Sequence, residues 1–371
     1  MTGETLSVAV VLGTRPEIIK LSPVVRECER RGVDCSVIHT GQHYSESLDS
    51  VFFEQLDLDP PAYNLEVGSG SHGQQTGTMI RRIESTLTEI EPDVVLVQGD
   101  TNSVLAGAIA VSKLDMELGH VEAGLRSFDR EMPEEINRIL TDHAADYLFA
   151  PTDETATLLR EEGLPDERIR VTGNTVVDAV YQNQGLAAEK SSILEDLGVS
   201  AGEFVLMTAH RAENVDDPHR FQGLLDGAGR VGRELGCDVI YPVHPRANDR
   251  IEEFDVTVPE AVRQTDPLDY LDFLQLEATA AIVLTDSGGV QEEACILGVP
   301  CVTMRENTER PETIDVGANV LVGTDPEEIL SGAETILDRA TTWENPFGEG
   351  DAAERILETV QTSVSRREVV R

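Results

Sequence analysis

Lysine is nearly missing from this chain: of 371 residues only Lys20, Lys113 and Lys190 carry the ammonium group, and the remaining basic side chains are arginines. Lysine and arginine together number 29 against 69 aspartates and glutamates, a formal net charge of −40. A surface of that sign repels phosphate backbones and anionic lipid heads, which disfavours nucleic-acid or membrane-surface binding as the main activity. An anionic ligand must therefore find a local positive site. Long apolar runs are missing too: stretches such as 278–284 fall far short of the roughly 18 residues that a membrane span requires. The amino terminus passes from a short polar lead into the apolar segment 6–12 with no basic region or small-residue cleavage site, so no secretory signal is expected and the expected location is the cytoplasm. The five cysteines, Cys28, Cys35, Cys237, Cys295 and Cys301, form no C-x-x-C pair and have no companion histidine spacing. Neither a disulfide framework nor a metal site is expected.

What is present argues for a folded protein. Hydrophobic residues make up 40% of the chain, and its length suits two domains. A large acidic excess is a feature of proteins adapted to molar salt, where the screening length contracts to about 3 Å. The expectation is a salt-rich cytoplasm and loss of the folded state in dilute buffer; the alternative is an acidic protein indifferent to salt.

Short β-branched runs recur at 8–12, 33–39, 94–97, 117–121, 204–208, 239–243, 281–285 and 299–303, separated by stretches of helical period such as 102–113, 134–145 and 218–235. Alternation of this kind predicts α/β architecture: two Rossmann-like, doubly wound parallel domains facing a central cleft, with ligands at the carboxyl ends of the strands. The alternation restarts after the segment Gly173 to Asp178. A polar stretch, 184–200, precedes the next strong strand. This places an N-terminal domain over 1–176 and a C-terminal domain over 177–352; the final helix, 351–364, fits either.

The first strand ends in Gly13-Thr-Arg-Pro-Glu-Ile-Ile-Lys20. Gly13 permits a tight turn, Pro16 suits the start of a helix, and Arg15 stands beside the unpaired N–H groups of that helix, where an anion docks or where an ordinary turn carries a surface arginine. A stronger phosphate signal is Thr285-Asp-Ser-Gly-Gly-Val-Gln-Glu-Glu293, in which a strand runs into small residues and then a helix. Ser287, Gly288 and Gly289 let backbone N–H groups approach a diphosphate, and Glu292 and Glu293 are placed to accept from ribose hydroxyls. Arg310, in Thr308-Glu-Arg-Pro-Glu312, offers a further charge. Three acidic loops close strands of the first half: Asp100 lies in Gln98-Gly-Asp-Thr101, Glu122 in Gly119-His-Val-Glu-Ala-Gly-Leu-Arg126, and Glu134 with Arg138 one helical turn apart in Met132-Pro-Glu-Glu-Ile-Asn-Arg138. Each carboxylate alone fits a capping or surface role. Together with His210 in Thr208-Ala-His-Arg-Ala-Glu-Asn214 they look like acid/base machinery. His39, His72, His143 and His219 are expected to make local hydrogen bonds, whereas His43 and His244 sit at strand ends as possible ligand contacts.

In this order, the motifs G-T-R-P-E, Q-H, G-D-T, G-H-V-E-A-G-L-R, P-E-E-x-N-R, H-R-x-E-N, D-S-G-G-x-Q-E-E and T-E-R-P-E resemble the non-hydrolysing UDP-N-acetylglucosamine 2-epimerases over roughly residues 8–325. The resemblance implies a glycosyltransferase-B type of fold, interconversion of UDP-GlcNAc and UDP-ManNAc, no cofactor, a homodimer, and a last helix, after about residue 353, that crosses back to the first domain. It also implies a catalytic set of Asp100, Glu122, Glu134, Arg138 and His210. Around the UDP-sugar it implies Arg15, Lys20, His210, Phe273 near the uracil, Ser287, Gly288, Gly289, Glu293 and Arg310. Gln42, His43 and His244 fall where bacterial relatives bind a second, activating UDP-GlcNAc. Two positions depart from the family pattern: Ala212 replaces an arginine, and Arg246 follows Tyr241-Pro-Val-His-Pro245 in place of the usual asparagine-containing turn.

The chemistry accounts for such a set. The C2 proton of an N-acetylated sugar is not acidified by a carbonyl, so the workable route expels UDP from C1 as that proton leaves, giving a glycal. UDP then re-adds with the proton on the other face. Cations and N–H groups must stabilise the departing diphosphate, and acid/base groups must flank C2. The route makes no net oxidation and calls for no nicotinamide. The competing expectations are a hydrolysing epimerase that releases ManNAc and UDP, a glycosyltransferase of the same fold, and a non-catalytic UDP-sugar sensor.

Overall fold

The computed structural model describes residues 6–42, 46–339 and 342–370. Among them the chain forms two compact units, one of residues 1–179 with 347–371 and one of 180–346.

The first unit is built on a seven-stranded parallel sheet: β1 (Ser7–Leu12), β2 (Asp34–His39), β3 (Tyr63–Asn64), β4 (Val94–Gln98), β5 (Glu117–Val121), β6 (Tyr147–Ala150) and β7 (Ile169–Val171). Their spatial order is β3-β2-β1-β4-β5-β6-β7. The order reverses direction between β1 and β4, and in doubly wound sheets that switch point is where loops diverge and ligands bind. Val8 to Leu12 and Val94 to Val97 are at most 1% exposed because helices cover both faces, which is why these runs are apolar throughout rather than alternating.

The second unit repeats the plan with six parallel strands: β8 (Phe204–Thr208), β9 (Asp238–Pro242), β10 (Val262–Thr265), β11 (Ile282–Thr285), β12 (Cys301–Thr303) and β13 (Asn319–Leu321), in the order β10-β9-β8-β11-β12-β13. Its switch point lies between β8 and β11, paired in register from Ile282 opposite Val205 to Thr285 opposite Thr208. One face is filled by Phe221, Leu224 and Val231 of the helix Pro218–Leu235, and the other by Leu276 and Ala294 with Phe204 and Val283.

The final helix, Ala352–Val370, packs on the helix Arg15–Arg31 of the first unit, where Arg31 donates to Gln361 at 2.9 Å. The carboxylate of Asp178 accepts from the N–H groups of Ala352 (3.3 Å) and Ala353 (3.0 Å), capping the start of that helix. The chain passes between the units twice. Within the first unit, the backbones of Gly173 and Gly348 approach so closely that a Cβ on Gly348 would lie 3.2 Å from the Gly173 Cα. Among the described residues no helix is long and apolar enough to cross a membrane.

Candidate active site

At the carboxyl end of β1 the chain turns at Gly13, where a Cβ would run into the hydroxyls of Thr40 and Ser103. Thr14 then caps the helix Arg15–Arg31, with Pro16 in its first turn and Arg15 exposed at its amino end, 5.9 Å from the Phe52 ring. The spacing Thr14-x-x-Glu17 is a capping box. Here it does more than cap. Glu17, 2% exposed, accepts from the N–H of Gly13 (2.6 Å) and of Thr14 (2.9 Å), and also from the hydroxyl of Thr101 on the β4 loop. Burial pushes its carboxyl up to about 7 against the opposing pull of those donors. Motif reading does not single out Glu17, although the capping-box spacing is its signal.

Asp100 and Glu122 occupy neighbouring loops at the ends of β4 and β5. Glu122 takes φ of +70°, a left-handed conformation that a glutamate adopts at a cost of order 1–3 kcal/mol, so the surroundings must over-determine it. They do. Its carboxylate meets Lys20 Nζ at 2.7 Å, accepts from Asn174 Nδ2 at 3.2 Å, and is bonded by the amide of Gln98. Asp100 pairs with Arg138 at 2.5 Å, and its carbonyl accepts from Asn137 Nδ2 at 2.8 Å.

Sequence spacing places Arg138 on the face of Glu134. In the structure its guanidinium turns instead to Glu135, at 2.9 Å, and to Asp100. Glu135 is the better anchored of the two adjacent glutamates, because it also accepts from the N–H groups of Ser127 (2.9 Å) and Phe128 (3.0 Å). Burial alone would raise its carboxyl; these N–H groups and Arg138 hold it below the usual range. Glu134 is half-buried in the first turn of the helix Pro133–Ala144. Beneath the loops, His120 presents Nδ1 to Asp142 at 2.6 Å and Nε2 to the Gly99 carbonyl at 2.9 Å, while Arg126 reaches Asp142 at 2.7 Å. Burial would raise Asp142, and the charges of His120 and Arg126 outweigh it.

The second unit gathers its polar groups around Asp286, which is fully buried at the end of β11. Asp286 accepts from the N–H groups of His210 (3.1 Å) and Arg211 (3.0 Å) and from Asn214 Nδ2 (3.2 Å), so one carboxylate shapes the whole β8 loop. The imidazole of His210 lies 3.4 Å from Asp286 and 5.7 Å, centroid to centroid, from that of His244. Burial, joined by the charges of His244 and Arg211, holds His210 below its ordinary value despite Asp286. Ser287 caps the helix Gly288–Leu297, whose first N–H groups, at Gly288 and Gly289, have no partner inside the helix.

The adjacent glutamates of that helix separate. Glu292, 4% exposed, pairs with Arg310 at 2.7 Å and is thereby withdrawn from the ribose role that its position suggests, whereas Glu293 stays half-exposed. Phe273 packs partly buried beside Leu276. Gln42, 8% exposed, is engaged with Ser103 through its side-chain oxygen at 2.8 Å. His244 is exposed and caps the helix Pro245–Glu253, and Arg246 pairs with Asp216. His43 lies outside the described residues. Among the described residues no group of three or more His, Cys, Asp or Glu is placed to hold a metal ion.

The first unit thus offers fixed carboxylates, and the second offers N–H groups with nearby arginines. The profile of the family described as UDP-N-acetylglucosamine 2-epimerase matches residues 26–361. A protein of that name from Methanocaldococcus jannaschii is 49% identical over 358 residues, 95% of this chain and 98% of its own. A crystal structure of the Methanocaldococcus jannaschii UDP-GlcNAc 2-epimerase in complex with UDP-GlcNAc and UDP superposes with a TM-score of 0.82 at 49% identity, covering 96% of this chain and 99% of that one. The UDP-2,3-diacetamido-2,3-dideoxy-D-glucuronate 2-epimerase of Pseudomonas aeruginosa is 40% identical, with coverage of 95% and 99%. The chain belongs to the UDP-N-acetylglucosamine 2-epimerase family.

Proposed function

We propose that this protein interconverts UDP-GlcNAc and UDP-ManNAc without net hydrolysis. The observation that carries the reading is Glu122: a left-handed glutamate at the end of a central strand, held by Lys20, Gln98 and Asn174, in a family that inverts C2 of a UDP-sugar. Strain of this kind, fixed by several partners, supports a positioned acid/base group.

In this mechanism the C1–O bond to UDP breaks as the C2 proton passes to a carboxylate, leaving a C1=C2 glycal. A proton returns to the opposite face of C2, and the diphosphate oxygen re-forms the bond to C1. Asp100, Glu122 and Glu134 handle protons and shape the sugar site, and Arg138 fixes Asp100. Arg15, His210, Arg310 and the N–H groups around Ser287, Gly288 and Gly289 stabilise the leaving diphosphate. Glu293 accepts from the ribose and Phe273 lies against the uracil. The catalytic carboxylates come from 1–176, completed by the last helix, and the UDP-binding residues come chiefly from 177–352. A homodimer in the cytoplasm completes the proposal.

Proton NMR with UDP-GlcNAc in molar KCl and D₂O tests it. UDP-ManNAc with deuterium at C2 of product and recovered substrate is the expected result. Free ManNAc with UDP would move the protein to hydrolysing chemistry, and turnover confined to the diacetamido-uronate sugar would move the substrate.

A further inference from the structure

One buried carboxyl group in the second unit is left unexplained by the chemistry above. Glu277, on the helix Tyr270–Thr279, is fully buried, next to core residue Leu276 of that helix and near Ala280 just past its end. Neither of its carboxyl oxygens accepts a hydrogen bond from a donor group. An ionised carboxylate in that setting would cost several kcal/mol. A polar side chain against it is Glu293, from the neighbouring helix Gly288–Leu297, and the Cys301 thiol is also within electrostatic reach. Two carboxylates are both acceptors, so they bond only when a proton lies between them. Burial first, and then the charge of Glu293, push the Glu277 carboxyl well above its ordinary range. The two also differ in access: Glu277 is fully enclosed and Glu293 is half-exposed.

From this arrangement we infer that Glu277 is a positioning residue: it keeps its proton, donates that O–H to Glu293, and so presents the remaining acceptor capacity of Glu293 to the vicinal hydroxyls of a ribose. The inference rests on the proposed UDP-sugar binding and extends it to a specificity, ribonucleotide over 2′-deoxyribonucleotide. A carboxylate whose inner oxygen is bonded from behind has one orientation rather than several. A diol can then meet both available lone-pair directions, whereas a single 3′-hydroxyl leaves one unmet. A lysine or arginine behind Glu293 would orient it as well but would neutralise its charge. A neutral acid orients it and leaves the charge in place.

The test is calorimetric titration of the full chain with UDP and with 2′-deoxy-UDP in molar KCl, for the wild type, Glu277→Gln and Glu277→Leu. The wild type is expected to prefer UDP, and Glu277→Gln, whose amide still donates, keeps that preference. Glu277→Leu loses affinity for UDP on the order of tenfold, with little change for 2′-deoxy-UDP. A wild type that binds neither nucleotide overturns the UDP-sugar reading and this inference together; UDP binding with an unchanged ratio in Glu277→Leu overturns the inference alone. Infrared spectroscopy keeps it falsifiable if the leucine variant does not fold. The difference spectrum of wild type minus Glu277→Gln at neutral pH must show the carbonyl stretch of a neutral carboxylic acid, and its absence overturns the assignment. Glu17 is present in both proteins and cancels.

Discussion

The polar clusters of the two units are held in opposite ways. In the first, carboxylates are pinned by side chains distant in sequence: Lys20 to Glu122, Arg138 to Asp100, Arg126 to Asp142. In the second, the buried carboxylate of Asp286 pins the backbone N–H groups of His210 and Arg211, leaving the side chains of those residues at the rim, while Glu292 holds Arg310. The difference suits the chemistry proposed for each. Proton transfer is sensitive to misplacement on the ångström scale, so its groups are locked. Binding and releasing a diphosphate needs donors that can adjust.

Amide substitutions press this contrast hardest. Asp100→Asn, Glu122→Gln and Glu134→Gln are each expected to lower kcat by on the order of 10²–10⁴ with UDP affinity little changed, measured by NMR turnover and calorimetry. Arg310→Gln is expected to raise KM by about tenfold and to affect kcat less. A variant that reverses this pattern breaks the division between the units.

Removing the locks comes next. Asp142→Asn leaves His120 and Arg126 without their buried partner and is expected to cost about 3–5 kcal/mol of stability in the first unit, seen as a fall in Tm. A comparable loss from Asp216→Asn, whose partners Arg246 and Arg250 are solvent-accessible, would erase the distinction; the expectation there is no measurable fall in Tm.

A further effect is pH-dependent. Glu17 holds its proton up to about pH 7 in the folded state, against an ordinary 4.5, so between those values the folded protein binds more protons than the unfolded one. Its contribution is therefore most favourable below about 4.5, declines as pH rises through 7, and is constant above, a span of about 3 kcal/mol. Glu17→Gln is expected to flatten this component in denaturant titrations between pH 5 and 8.

Much of this architecture is legible in the sequence. The apolar runs locate β1, β4, β5, β8 and β11 to within a residue or so, because strands buried on both faces need uninterrupted aliphatic side chains. The edge strands β3, β7, β10 and β13 escape periodicity because they are short and partly exposed, and β6, only four residues long, lies among helical segments. The loop motifs identify Asp100, Glu122 and His210 as residues but not their partners. Arg138 choosing Glu135 over Glu134, and Glu292 turning to Arg310, follow from helix rotation against a particular neighbour, which spacing alone does not fix. Glu277 has no local signal, since one glutamate in an apolar helix reads as a surface position.

The return of the helix Ala352–Val370 to the first unit sets an order on biosynthesis. Every residue of the second unit has been synthesised before the helix that completes the first, so the half begun earlier is finished later. Until Ala352 and Ala353 reach Asp178, and Gln361 reaches Arg31, the helix Arg15–Arg31 keeps an uncovered face. A nascent chain of this protein therefore waits on the helix Ala352–Val370, and a chaperone that shields one surface during translation would find it there.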